Sequence, residues 1–93
     1  MNSFSLTAAT PNGHFFEGRL LALTLRGTEG DLTVLAGHAP LVTVFPAGIC
    51  KLRLESNEER LLQSSAGLLT AGAQGVTLLS GHMQWQTPDT SPT

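Results

Sequence analysis

Gly27-Thr28-Glu29-Gly30-Asp31-Leu32-Thr33-Val34-Leu35-Ala36-Gly37-His38-Ala39-Pro40-Leu41 reads as two sharp turns around one short apolar segment. Gly27 and Gly30 bracket an acidic turn. Leu32, Val34 and Leu35 follow as the apolar piece. Gly37-His38-Ala39-Pro40 then turns the chain again before Leu41-Val42-Thr43-Val44-Phe45. Turns this close together leave room for strands and not for helices. They also place Glu29, Asp31 and His38 on loops, where function usually sits.

The rest of the chain repeats this rhythm. In Ser3-Phe4-Ser5-Leu6-Thr7-Ala8, apolar and polar residues alternate with period two, as in a strand with one wet face. Thr10-Pro11-Asn12-Gly13 is a turn, and His14-Phe15-Phe16-Glu17-Gly18 starts the return, with Gly18 marking a bulge or a close approach. Residues 19–26 carry Leu on both faces, which predicts a strand packed on each side. A helix is the rival reading, but Gly27 ends the run too early. Phe45-Pro46-Ala47-Gly48 turns, and Cys50, Leu52 and Leu54 alternate with Lys51, Arg53 and Glu55. Further strands are expected at 59–65, 68–71 and 76–80, the last being the final clear one. This pattern predicts an all-β fold, a small antiparallel β-sandwich or flattened barrel of about eight to ten short strands. One domain over residues 1–86 is expected, with a disordered tail at 87–93, where Pro, Thr and Ser have nothing to bury.

Bulk properties narrow the function. The 93 residues are 41% hydrophobic with only four Phe, one Trp and no Tyr, so the core must rest on Leu, Val and Ala. A domain of this size buries only about 60% of its unfolded surface, so a covering partner would help it. A net charge of −2 with five Lys and Arg argues against nucleic-acid binding, which needs clustered cations. The single cysteine excludes an internal disulfide, and no apolar run approaches the ~20 residues of a membrane-spanning helix.

Enzyme chemistry finds little footing. His14, His38 and His82 lack metal-ligand spacing. Cys50 sits on the apolar side of a strand with no cation beside it, which predicts an inert thiol. Glu29 and Asp31 could be paired carboxylates, but they lack a nucleophile or base partner and read as a solvated turn. No lysine follows the glycines, as a phosphate loop would require. Trp85 either packs on the body or touches a partner. No catalytic residue, metal or cofactor is expected.

Several turns occur together in a familiar order. Thr10-Pro11-Asn12-Gly13, Phe16-Glu17-Gly18, Gly27-Thr28-Glu29-Gly30-Asp31-Leu32, Gly37-His38-Ala39-Pro40-Leu41 and Gly48 resemble the N-terminal domain of the epsilon subunit of F-type ATP synthase. Ser65-Ala66-Gly67-Leu68-Leu69 and Val76-Thr77-Leu78-Leu79 continue the resemblance. Ala36 and Ala66 depart from the Pro and Gly usual in the family, and Pro46 stands one place early. The family's C-terminal helical hairpin has no counterpart, so hairpin-mediated inhibition is not expected.

The resemblance implies a non-catalytic rotor subunit that couples proton-driven rotation to ATP synthesis. Its partners would be the gamma subunit, the c-ring and, indirectly, the alpha/beta hexamer. It would be peripheral, on the cytoplasmic face of the inner (plasma) membrane. By position, Thr28, Glu29, Gly30 and Asp31 match the c-ring contact. Thr10, His38, Ala39, Pro40 and Leu41 match positions near gamma, although His38 could equally satisfy its own turn. Two readings compete. A lipoyl- or biotinyl-type carrier needs a lysine at a hairpin tip, but Lys51 is the sole lysine and lies within a strand. A cupin-like enzyme needs a histidine cluster and a metal.

Overall fold

The computed structural model describes residues 3–27, 30–37 and 39–86. The tail expected at 87–93 lies outside them. Nine strands are present: β1 (Phe4–Thr10), β2 (Gly13–Gly27), β3 (Gly30–Leu35), β4 (Leu41–Phe45), β5 (Gly48–Leu54), β6 (Glu59–Ser64), β7 (Gly67–Gly72), β8 (Gly75–Ser80) and β9 (Met83–Gln86). They form one sheet in the order β4-β7-β8-β1-β2-β5-β6-β9, with β3 pairing β2 as well. The all-β expectation holds. The sheet does not close into a barrel, and one pairing, β1 with β8, is parallel where an antiparallel fold was expected. Strands far apart in sequence are free to pair in parallel because no tight hairpin joins them.

The long strand β2 makes the sandwich. Its first half pairs with β1, Phe4 opposite Leu20, and its second half pairs with β3 and β5. Between the halves the register with β5 slips. Leu20 faces Leu54, Ala22 faces Arg53, and Leu21 is left over as a bulge. A bulge adds one residue and bends the strand, so parity changes across it. Leu20, Leu23 and Leu25 therefore all point into one core and are almost fully buried, while Leu21 is only partly so. This corrects the expectation of a strand packed on both sides. Leucines on alternating faces are reconciled by one extra residue, without a second packing partner.

Folded across β2, the sheet brings two inner faces together. Leu6, Leu69 and Leu78 come from the layer β4-β7-β8-β1. Leu23, Leu52 and Leu62 come from the layer β3-β2-β5-β6-β9. All six are fully buried in a single cluster. Alternation puts polar residues on the outside, as in β5, where Cys50 and Leu52 are buried and Lys51 and Arg53 exposed. The sulfur of Cys50 lies 4.0 Å from the Ser64 hydroxyl, and burial pushes its thiol above the ordinary range. A buried, protonated thiol is a poor nucleophile.

Two other features were only half visible in the sequence. Gly18 is a close approach within β2: a Cβ there would meet the Phe16 ring at 2.8 Å. Beyond the expected last strand, β9 pairs with β6, Trp85 opposite Leu62. The Trp85 ring packs 5.2 Å from Phe15 and 5.5 Å from Phe16, and Arg60 lies over it at 5.5 Å. It closes one open edge between the layers. The connection to β9 is tied by Ser65, whose backbone N–H donates to the His82 carbonyl at 2.9 Å while its hydroxyl accepts from the His82 N–H at 3.0 Å.

Candidate docking faces

The acidic turn sits at the end of the β2–β3 ladder, which pairs down to Gly27 opposite Gly30. Gly30 has φ of +131°, a conformation that a side chain would strain. Asp31 is exposed and in register with Arg26. Thr28 and Glu29 lie outside the described residues, as does His38. Asp31 shares the outer side of β3 with Thr33, since Val34 is buried and points the other way. The Thr33 and Thr24 hydroxyls are 3.2 Å apart. Beyond them Lys51, Arg53, Gln63 and Gln84 continue the outer surface, with the Gln84 side-chain amide N–H donating to Gln63 Oε1 at 3.1 Å.

The residues expected near gamma do not gather at one point. Thr10 ends β1, where its hydroxyl accepts from the Asn12 N–H at 3.2 Å. Ala39 and Pro40 are exposed and lead into Leu41, which pairs with Ala71 at the far end of the same layer. Thr10 and Leu41 thus mark opposite ends of one face.

What lies between them was not singled out in the sequence. Register pairs Val44 with Leu68, Leu68 with Leu79, and Leu79 with Ala9. Four strands thereby contribute one apolar row across the outer face. Val42, Thr70, Thr77 and Thr7 make the next row by the same pairings. Val44 is 77% exposed, Val42 69% and Leu79 43%. The row borders a shallow cavity of about 460 Å³ whose lining includes Thr10, Pro11, Val44, Leu68 and Leu79. A signal did exist: β4 reads Leu-Val-Thr-Val-Phe, with valine at both exposed positions, although β4 is an edge strand. Edge strands are usually blunted by charge, so an apolar one asks for a cover.

Among the described residues no three His, Cys, Asp or Glu side chains come together to hold a metal. What the two faces offer is contact area, one apolar and one polar, on a rigid body.

Known proteins carry the same body. The family model for the beta-sandwich domain of the ATP synthase delta/epsilon chain matches residues 3–86. A chain in the cryo-EM structure of the Euglena gracilis mitochondrial ATP synthase (OSCP, F1 and c-ring) superposes with a TM-score of 0.82 at 23% identity, over 91% of this chain and 54% of that one. A chain in the central stalk and c-ring of the Tetrahymena thermophila mitochondrial ATP synthase superposes with a TM-score of 0.71 at 18% identity, over 86% of this chain and 64% of that one. The chain therefore spans between half and two thirds of the length of these structural relatives. At such identities the superpositions speak for the fold, and the family match speaks for kinship. From its third residue to the end of β9, the chain belongs to the beta-sandwich family of ATP synthase delta/epsilon chains.

Proposed function

We propose that this domain is a non-catalytic rotor component of an ATP synthase central stalk, joining the gamma subunit to the c-ring so that proton-driven rotation reaches the alpha/beta hexamer. The exposed apolar row Val44, Leu68, Leu79 and Ala9 carries this reading, because it is the contact area a permanent protein partner would cover. Gamma is its proposed occupant, with Thr10 at one end and His38, Ala39, Pro40 and Leu41 at the other. The ring is assigned to the opposite outer face through Thr28, Glu29, Gly30 and Asp31. The body between them suits torque: two close-packed layers resist shear and deform little under load. The domain would then be peripheral to the membrane, on the cytoplasmic side, held there by the ring.

The test is a co-purification with gamma and a detergent-solubilised ring. Asp31→Lys is expected to keep gamma and lose the ring. Val44→Asp is expected to lose gamma. If the unmodified chain binds neither, the rotor reading is wrong; if both variants behave like the parent, the face assignments are wrong.

A further inference from the structure

The turn Thr10-Pro11-Asn12-Gly13 carries a chemistry that the docking faces do not use. Pro11, Asn12 and Gly13 are exposed at the tip of the β1–β2 hairpin. Gly13 has φ of +122°, and open space stands where its side chain would be. Positive φ favours glycine there, so the shape of the turn itself maintains an asparagine followed by glycine.

That pair is reactive. The Gly13 backbone nitrogen can attack Cγ of Asn12 and close a five-membered succinimide. The bond formed joins this nitrogen to Cγ, the Cγ–Nδ2 bond breaks, and ammonia leaves with the proton the nitrogen gives up. Water then opens the ring at either carbonyl. One opening leaves aspartate at position 12, and the other leaves isoaspartate, with the main chain rerouted through the former side chain. A Cβ on the following residue would shield the attacking nitrogen, and glycine has none. The Gly13 amide also lies in the last pair of the β1–β2 ladder, opposite Thr10, where local opening costs least. Asn57 offers the contrast. Its next residue is Glu58, which carries a side chain and whose backbone N–H donates to the Ser56 hydroxyl at 3.4 Å.

The place of the new charge gives it a consequence. Asn12 borders a cavity of about 250 Å³ together with Thr10 and Gly81. Those two residues, and Pro11, also line the shallow cavity beside the apolar row. A carboxylate at position 12 therefore stands at the Ala9 end of that row, where a partner covering the row would strip water from it.

We propose that Asn12 is a site of spontaneous deamidation, and that the carboxylate it leaves makes aged copies of the domain weaker partners for gamma. The second half rests on the gamma reading above; the first half does not.

The purified chain is held warm in neutral and in mildly alkaline buffer. Its peptides are then mapped by mass spectrometry, with an isoaspartyl methyltransferase as reporter. Position 12 is expected to convert at least about tenfold faster than Asn57, faster still in the alkaline buffer, and to yield isoaspartate. Asn12→Ser is expected to remove the more acidic form that ion exchange resolves. Conversion at Asn57 as fast as at position 12 would overturn the site, as would an acidic form that persists in Asn12→Ser. The acidic form, separated from the fresh chain, is expected to bind gamma about fivefold more weakly. Equal binding of the two forms would overturn the link to gamma. If the fresh chain binds no gamma, the rotor reading fails, and the peptide map still decides the site.

Discussion

The two outer faces of this sandwich are built from the same alternating strands and present opposite surfaces. On the β4-β7-β8-β1 layer the outward residues are Val42, Val44, Leu68, Leu79 and Ala9, with threonines behind them. On the β3-β2-β5-β6-β9 layer they are mixed, with Asp31, Thr33, Thr24, Lys51, Arg53, Gln63 and Gln84 set among Leu35, Ile49 and Leu61. Solvent alone would favour the second composition on both sides. The difference teaches that alternation marks inside from outside, while cross-strand register decides what the outside is for. Val44 and Leu79 are 35 positions apart in the chain, yet only Leu68 separates them in space.

The strongest way to break this picture uses two neighbours on β7. Leu69 is fully buried and Leu68, beside it, belongs to the outer row. Leu69→Ala should cost about 2–5 kcal/mol through lost burial and the cavity left behind. Leu68→Ala should cost less than about 1 kcal/mol in the isolated domain. Denaturant unfolding measures both. Equal losses would mean that the two sides of the layer are misassigned.

Next in size is a charge placed in the apolar row. Leu79→Asp should weaken gamma binding by about 2 kcal/mol or more, roughly thirtyfold, because a desolvated carboxylate would have no partner. Thr33→Asp, the matching change on the polar face, should leave gamma binding within about twofold. Binding titrations with gamma decide it, and a similar loss for both variants would erase the contrast between the faces.

Cys50 keeps such comparisons clean. It is 2% exposed, and its thiol is held protonated by burial. A thiol reagent should react with it only on unfolding, so a face variant that binds poorly while Cys50 stays protected has lost contact and kept its fold. Rapid labelling in the parent protein would show that the interior opens more readily than its packing implies.

Much of the fold was readable from the chain because short turns and period-two patterning are local. The turn at Thr10-Pro11-Asn12-Gly13, the strand from Phe4 and the alternation of Cys50 and Leu52 against Lys51 and Arg53 all appear where expected. Three things did not follow. The bulge at Leu21 looks like a two-sided strand, because one inserted residue and a second apolar face leave the same pattern. Strand β9 is short and mostly polar, and it exists because β6 offers an edge and because Trp85 finds Phe15 and Phe16. The apolar row is a property of pairing, so no single strand displays it. Turn motifs marked Thr10, next to its Ala9 end, and left the rest unmarked.

The smallest expected effect concerns salt, and it separates the faces without any mutation. The proposed ring contact rests on exposed charges. Each such pair contributes about 0–1 kcal/mol, and screening weakens it as the Debye length falls from ~10 Å at 0.1 M toward ~3 Å at 1 M. The proposed gamma contact rests on Val44, Leu68 and Leu79, whose burial carries no charge to screen. Raising sodium chloride from 0.1 to 0.5 M should therefore weaken ring binding about two- to fivefold and leave gamma binding flat or slightly tighter. Asp31→Asn should reduce the salt response of the ring contact, since a charge assigned to it is gone. Two binding isotherms in the same buffers measure this directly. If gamma binding instead falls with salt while ring binding does not, the polar face belongs to gamma, and the two partners have been assigned to the wrong sides of the sandwich.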